Sequence, residues 1–276
     1  IMPGSLLFTA ASSNVIDCGS GASIDAINPW TALAWIYPTS FAADLTIIQK
    51  GAAGTNTRGP NIFLADTSGN VRAVMDRATT DANYITTGGP LVVDRWQFVA
   101  VAANAAGAAG SLFRMYVGDI NRSPVEATFG TATDGSGAFG DDSAENFRIG
   151  NAKALTVGFG GRIAIVSLLR GDWEPQAIRR IWKITRDNLH PAAIANRLRD
   201  YGCRLHLSPG YSGTGTQIDW SGYGNHGAIT GATLTAGMPM RRTSRDFGGS
   251  VIAGGAPTTC GIIGGGVGFG SYVIGA

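Results

Sequence analysis

The chain has little charge, few glutamates and few cysteines. Charged residues make up 14% of its 276 positions, whereas glycine alone occupies 41. That balance suits many short strands joined by tight turns and argues against a helical protein. The net charge of +2 is too small to point to nucleic acid. It is spread unevenly, however, with −4 over residues 1–161 and +6 over residues 162–276, a polarity suited to docking on an acidic surface. The three cysteines, Cys18, Cys203 and Cys260, are odd in number and show no C-x-x-C spacing. Neither a disulfide framework nor a zinc site is indicated, and buried free thiols are expected. No basic stretch followed by an apolar core opens the chain, so no signal peptide is expected, and no stretch suggests a membrane span.

Alternation fills most of the sequence. Leu33, Trp35 and Tyr37 alternate with Ala34 and Ile36, and Trp96, Phe98, Ala100 and Ala102 alternate with Gln97, Val99 and Val101, as strands require. The second run is apolar on both faces, which fits a central strand covered on each side. Further strands are expected over 15–18, 45–50, 61–65, 71–76, 112–117, 147–150 and 162–169, and one more over 230–235. Turn residues separate nearly every pair, the pattern of a two-sheet sandwich or barrel.

The period then changes. Ile178, Ile181, Trp182 and Leu189 fall at helical spacing, with Arg179, Arg180, Lys183 and Arg186 read onto the opposite side. A helix is expected over 174–187 with Pro175 in its first turn, and a second from Pro191 to before Gly202. The helices are expected to interrupt the β-pattern without founding a second large core. The organisation is thus a sandwich from 1–170 and 203–240, a helical insertion over 171–202 and a Gly-rich tail over 241–276. From Phe247 to Ala276 there is no charge and eleven glycines. Ile262, Ile263, Val267, Phe269 and Tyr272 of this tail are expected to dock on a neighbouring subunit or another protein, because so much apolar surface does not stay solvated.

Several segments resemble the laminin-G-like, concanavalin A-like jelly-roll family. Trp30-Thr31-Ala32-Leu33-Ala34-Trp35-Ile36-Tyr37-Pro38 is similar to its T-x-x-x-W-x-x-P strand. Arg95-Trp96-Gln97-Phe98-Val99-Ala100 is similar to its W-x-x-V-A strand, Phe147-Arg148-Ile149-Gly150 to x-x-I-G, and Gly161-Arg162-Ile163-Ala164 to G-x-I-x. Asp219-Trp220-Ser221-Gly222-Tyr223-Gly224-Asn225-His226-Gly227 resembles the family's D-x-S-G-x-G-N-H-G turn, placed here after the helices instead of before the first strands. That order resembles versions of the fold encoded by tailed phages. The resemblance implies an all-β, concanavalin A-like jelly-roll sandwich, and it implies fold better than function.

Glycoside hydrolysis on this fold would need two carboxylates flanking the bond. The only glutamates, Glu126, Glu145 and Glu174, are far apart in sequence, which argues for a non-enzymatic protein. Asp141, Asp142 and Glu145 crowd one loop, and such oxygens can hold Ca²⁺, although the loop lacks a calcium-loop spacing. In the last turn, Asp219 and Asn225 are expected to satisfy backbone donors while His226 bonds locally. Trp30, Tyr37, Trp96 and Trp220 read as core before they read as sugar platforms. The leading expectation is a virion structural protein of the capsid-decoration or head-associated kind. It would form homo-oligomers and bind a major capsid or other virion protein through Arg179, Arg180, Lys183, Arg186 and the tail. The alternative is a carbohydrate-binding module or adhesin, with glycoside hydrolase third.

Overall fold

The computed structural model describes residues 4–10, 13–51, 59–187, 190–211 and 215–239. Leu189, Cys260 and the tail residues Ile262, Ile263, Val267, Phe269 and Tyr272 lie outside the described residues. The chain divides into two compact units, 1–242 and 243–276.

The described chain runs β1 (Ser5–Phe8), β2 (Val15–Asp17), β3 (Trp30–Pro38), β4 (Leu45–Lys50), β5 (Asn61–Leu64), β6 (Val71–Met75), β7 (Ala82–Thr86) and β8 (Gln97–Ala103). It continues through β9 (Phe113–Asp119), β10 (Val125–Glu126), β11 (Phe129–Thr133), β12 (Phe147–Ile149) and β13 (Gly161–Arg170). Helices α1 (Pro175–Asp187) and α2 (Pro191–Leu198) follow, then a 3₁₀ turn (Arg199–Tyr201). The described part closes with β14 (Cys203–Leu207), β15 (Thr216–Gln217), β16 (Gly227–Thr230) and β17 (Thr233–Thr235). One sheet has eight strands in the order β10-β9-β8-β3-β13-β1-β17, with β14 also on β13, and the other has nine in the order β11-β7-β6-β5-β4-β12-β2-β16-β15.

Period-two alternation decides which residues enter the core between the sheets. From the eight-stranded sheet come Trp30, Ala32, Ala34, Ile36, Val99, Val101, Phe113, Met115, Ile163, Val166 and Leu168; from the other come Ile16, Ile48, Ile62, Leu64, Val71, Ala73, Tyr84, Phe147 and Ile149. Gly150 ends β12 at φ +80, and a Cβ there would lie 2.2 Å from the Phe8 ring, so the close approach requires glycine.

The opposite face of the eight-stranded sheet builds a second apolar cluster. Leu33, Trp35, Phe98, Ala100, Ala102, Tyr116, Ile165 and Leu169 pack with Ile178, Ile181, Trp182, Ile194 and Leu198 of the helices. Trp35 Nε1 donates to Thr185 Oγ1 at 2.9 Å and Trp182 Nε1 to the Asp119 carbonyl at 3.0 Å, which fixes α1 against the sheet. The doubly apolar β8 is therefore covered on both sides, as its sequence required. The helices found a second core, contrary to the expectation that they merely interrupt the strands.

One strand expected over 230–235 is two. Gly231, at φ +69, breaks the run, so that β16 pairs with β2 in one sheet and β17 with β1 in the other. The turn at 219–227 comes late in the chain but leads into β16 beside β2, and Asn225 Nδ2 donates to Ser23 Oγ at 2.8 Å. The motif displaced in sequence thus stands next to the first strands in space.

Candidate functional site: the open face of the nine-stranded sheet

The residues of β4, β5 and β6 that alternate with the core ones face away from it. Gln49 stands opposite Asn61, Asn61 opposite Val74, and Phe63 opposite Arg72. Among the described residues no helix lines these positions. One wall is the segment after β12, which bends back along β4. Thr46 N donates to the Val157 carbonyl at 2.9 Å, Gly150 N to the Ile47 carbonyl at 3.0 Å and Lys153 N to Gln49 Oε1 at 2.7 Å. The result is a groove of about 280 Å³ whose lining includes Gln49, Asn61, Phe63, Arg72, Asp76 and Lys153.

Most of these groups are held in place. Arg72 donates through Nη1 to Asp44 Oδ1 at 2.7 Å and through Nε to Asn83 Oδ1 at 2.9 Å, and its guanidinium lies 5.9 Å from the Phe63 ring centre. Lys153 Nζ reaches both oxygens of Glu145, at 2.8 and 3.0 Å. Asn61 is less completely held. It is 3% exposed, and its Oδ1 is buried with no hydrogen-bond partner among the described residues. A buried acceptor left unpaired costs free energy and calls for a reason. The groove therefore offers rigid amide, carboxylate and guanidinium groups beside a half-buried aromatic ring, the combination that hydrogen-bonds hydroxyls and packs on an apolar ring face.

The residues singled out from the sequence fare differently. Arg179, Arg180 and Lys183 are exposed on α1. Arg186 does not share their face: it is 7% exposed, bonded to Asp187 at 2.6 Å and stacked 4.0 Å over the Trp182 ring. Arg186 lies four residues after Trp182 and so falls on the same buried side of the helix.

The three loop carboxylates do not converge. Asp141 Oδ2 accepts from Ser143 Oγ, and Glu145 is held by Lys153. Asp142 Oδ1 accepts from Ala26 N, and burial pushes its carboxyl above the usual range despite nearby Lys50. The cation of this loop is the fully buried Lys50, whose Nζ lies 2.8 Å from each of Asp25 Oδ1, the Asp142 carbonyl and the Glu145 carbonyl. Among the described residues no group of three or more His, Cys, Asp or Glu side chains is placed to hold a metal ion.

In the late turn Asp219 accepts from the backbone of His206, Ser221 and Asn225, while His226 Nδ1 accepts from Asp219 N at 3.0 Å, a structural role as expected. His206 is wholly buried between Ser167 Oγ (2.8 Å) and Ser208 Oγ (3.2 Å), and burial pushes its pKa down to about 4. Substrate has no access to this Ser–His pair. Cys18 and Cys203 are free and buried. Trp30 and Trp96 are buried, Trp30 in the core between the sheets and Trp96 in the cluster beneath the helices, with Tyr37 packed against that cluster.

The matched family accords with this architecture. The chain belongs to the concanavalin A-like lectin/glucanase superfamily, whose laminin-G-type family model matches residues 11–179. It is similar in structure to a candidate carbohydrate binding protein of Bacteroides ovatus at 17% identity, with a TM-score of 0.54 over 87% of this chain. This chain spans 62% of that protein's length. The heptameric SAP-like pentraxin of Limulus polyphemus is also similar, at 12% identity and a TM-score of 0.49, over 85% of this chain and 95% of its own. At such identities the likeness shows the fold alone. No curated protein sequence matches the chain.

Proposed function

We propose that this protein is a non-catalytic glycan-binding module whose ligand lies in the groove over β4, β5 and β6. The observation that carries this reading is Asn61, a buried amide lining the groove whose oxygen has no hydrogen-bond partner among the described residues. A sugar hydroxyl donating to Asn61 Oδ1 would remove the cost of leaving it unpaired. The non-catalytic half rests on the glutamates: Glu145 is held by Lys153, Glu174 by Arg114 at 2.6 Å, and Glu126 sits on β10 of the other sheet. None of them lines the groove, so no glutamate pair flanks a bound sugar there; of the aspartates that do line it, Asp44 is held by Arg72 and Asp81 accepts from Arg77 N.

The test is capture on an array of neutral and acidic oligosaccharides, followed by calorimetry with the best ligand. Asn61→Ala and Arg72→Ala should each weaken binding about tenfold or more, equivalent to about 1.4 kcal/mol. Binding equal to wild type in both would contradict the groove as the site.

A second reading, a structural protein of a phage particle, is supported by the exposed Arg179, Arg180 and Lys183 and by a groove of about 380 Å³ between the helices that also includes Arg197. These cations suit an acidic surface on a second copy or on a shell protein. Cosedimentation with shells that weakens as salt rises would support it.

A further inference from the structure

We propose that the pocket where β14 meets the 221–224 turn binds an acidic sugar residue, its oxyanion held by Arg199 and Arg204 and its ring against Tyr223. The pocket has a volume of about 440 Å³ and shares no lining residue with the groove over β4–β6. The two sites therefore stand or fall separately. Its chemistry is cationic and aromatic. Among the described residues neither Arg199 nor Arg204 has a carboxylate within ion-pair distance. Asp219, the acid of this turn, is already bonded to His206 N, Ser221 N, Ser221 Oγ and Asn225 N.

Arg204 is oriented without being satisfied. Its Nη1 donates to the Tyr223 hydroxyl and its guanidinium stands 4.9 Å from the Tyr223 ring centre, yet its Nε is buried with no partner among the described residues. A planar guanidinium fork matches a carboxylate or sulfate, and an incoming oxygen would satisfy the Nε–H. The other walls leave room for that group. Gly222 has φ +93 with no atom within 4 Å of where a Cβ would stand, and Tyr223 is 49% exposed. Cys203 contributes no competing anion, because burial pushes its thiol up to about 12.

The experiment follows the Arg204 Nε–H and Gly222 amide signals by ¹⁵N NMR of the whole chain during titration with D-glucuronate, sodium sulfate or D-glucose. Glucuronate should shift both signals saturably, sulfate should act mainly on Arg204 and more weakly, and glucose should do neither. Arg199→Met and Arg204→Met should each weaken glucuronate binding by about tenfold, and Arg199 is exposed, so its substitution leaves the fold intact. Tyr223→Leu should reduce glucuronate to the affinity of sulfate. Anions that leave the Arg204 signal unmoved, or arginine variants that titrate like wild type, would overturn the proposal. Sulfate equal to glucuronate, with Tyr223→Leu changing neither, would overturn its sugar half.

Discussion

The two sheets of this sandwich use their outer faces in opposite ways. On the eight-stranded sheet the outward positions are Leu33, Trp35, Phe98, Ala100 and Ile165, and two helices cover them. On the nine-stranded sheet they are Gln49, Asn61, Phe63 and Arg72, and they line an open groove. The same two-residue period serves both, so what differs is the chemistry of every second side chain. An apolar outer face must find cover, whereas a polar one can remain in contact with solvent and be available to a ligand.

The sharpest way to break the covered face is Trp35→Ala. Trp35 is fully buried, packs edge-to-face on Phe98 at 5.5 Å and holds Thr185 of α1. Its loss should cost about 3–5 kcal/mol, read by denaturant unfolding; a cost below about 1 kcal/mol would mean the helices contribute little cover.

Acid should act next, through His206. Its folded pKa of about 4 lies below the ordinary 6.5, so the unfolded chain takes up a proton first as pH falls. Stability from this group is intact above about pH 6.5 and should decline by up to about 3 kcal/mol as pH drops toward 4. Melting curves of wild type and His206→Gln should show this slope in the former and lose it in the latter. The smallest expected effect is on the outside of the cover itself: Ala at Arg179, Arg180 and Lys183 together should change stability by about 0.5 kcal/mol or less. If these cations bind an acidic partner, the change should abolish the salt dependence of that association.

Much of the fold was legible because burial leaves a periodic trace. The expected strand over 45–50 is β4, the run around Trp35 is β3, and the helix expected over 174–187 is α1 with one residue fewer. β7 escaped notice: its sequence Ala-Asn-Tyr-Ile-Thr has small or polar residues at three of five positions, although Ala82 and Tyr84 still turn inward. The chemistry of Trp182 and Arg186, four residues apart, was misread because charge was given precedence over helical spacing. The groove was not legible at all. Each strand contributes one or two polar residues, and only the register that sets Gln49 beside Asn61, and Phe63 beside Arg72, assembles them. The one available signal was the polar residue recurring at outward positions of strands otherwise rich in isoleucine, valine and leucine.

The central claim is that the open face is reserved for a ligand while the covered face is reserved for cover. Amide NMR shifts, mapped as the best-captured oligosaccharide is added to the whole chain, test it most directly. The account predicts shifts concentrated at Gln49, Asn61, Phe63, Arg72 and Lys153, requiring about tenfold or more ligand to saturate in Asn61→Ala, with the melting temperature of that variant within a few degrees of wild type. Shifts concentrated on α1 and α2, with the groove silent, would contradict it.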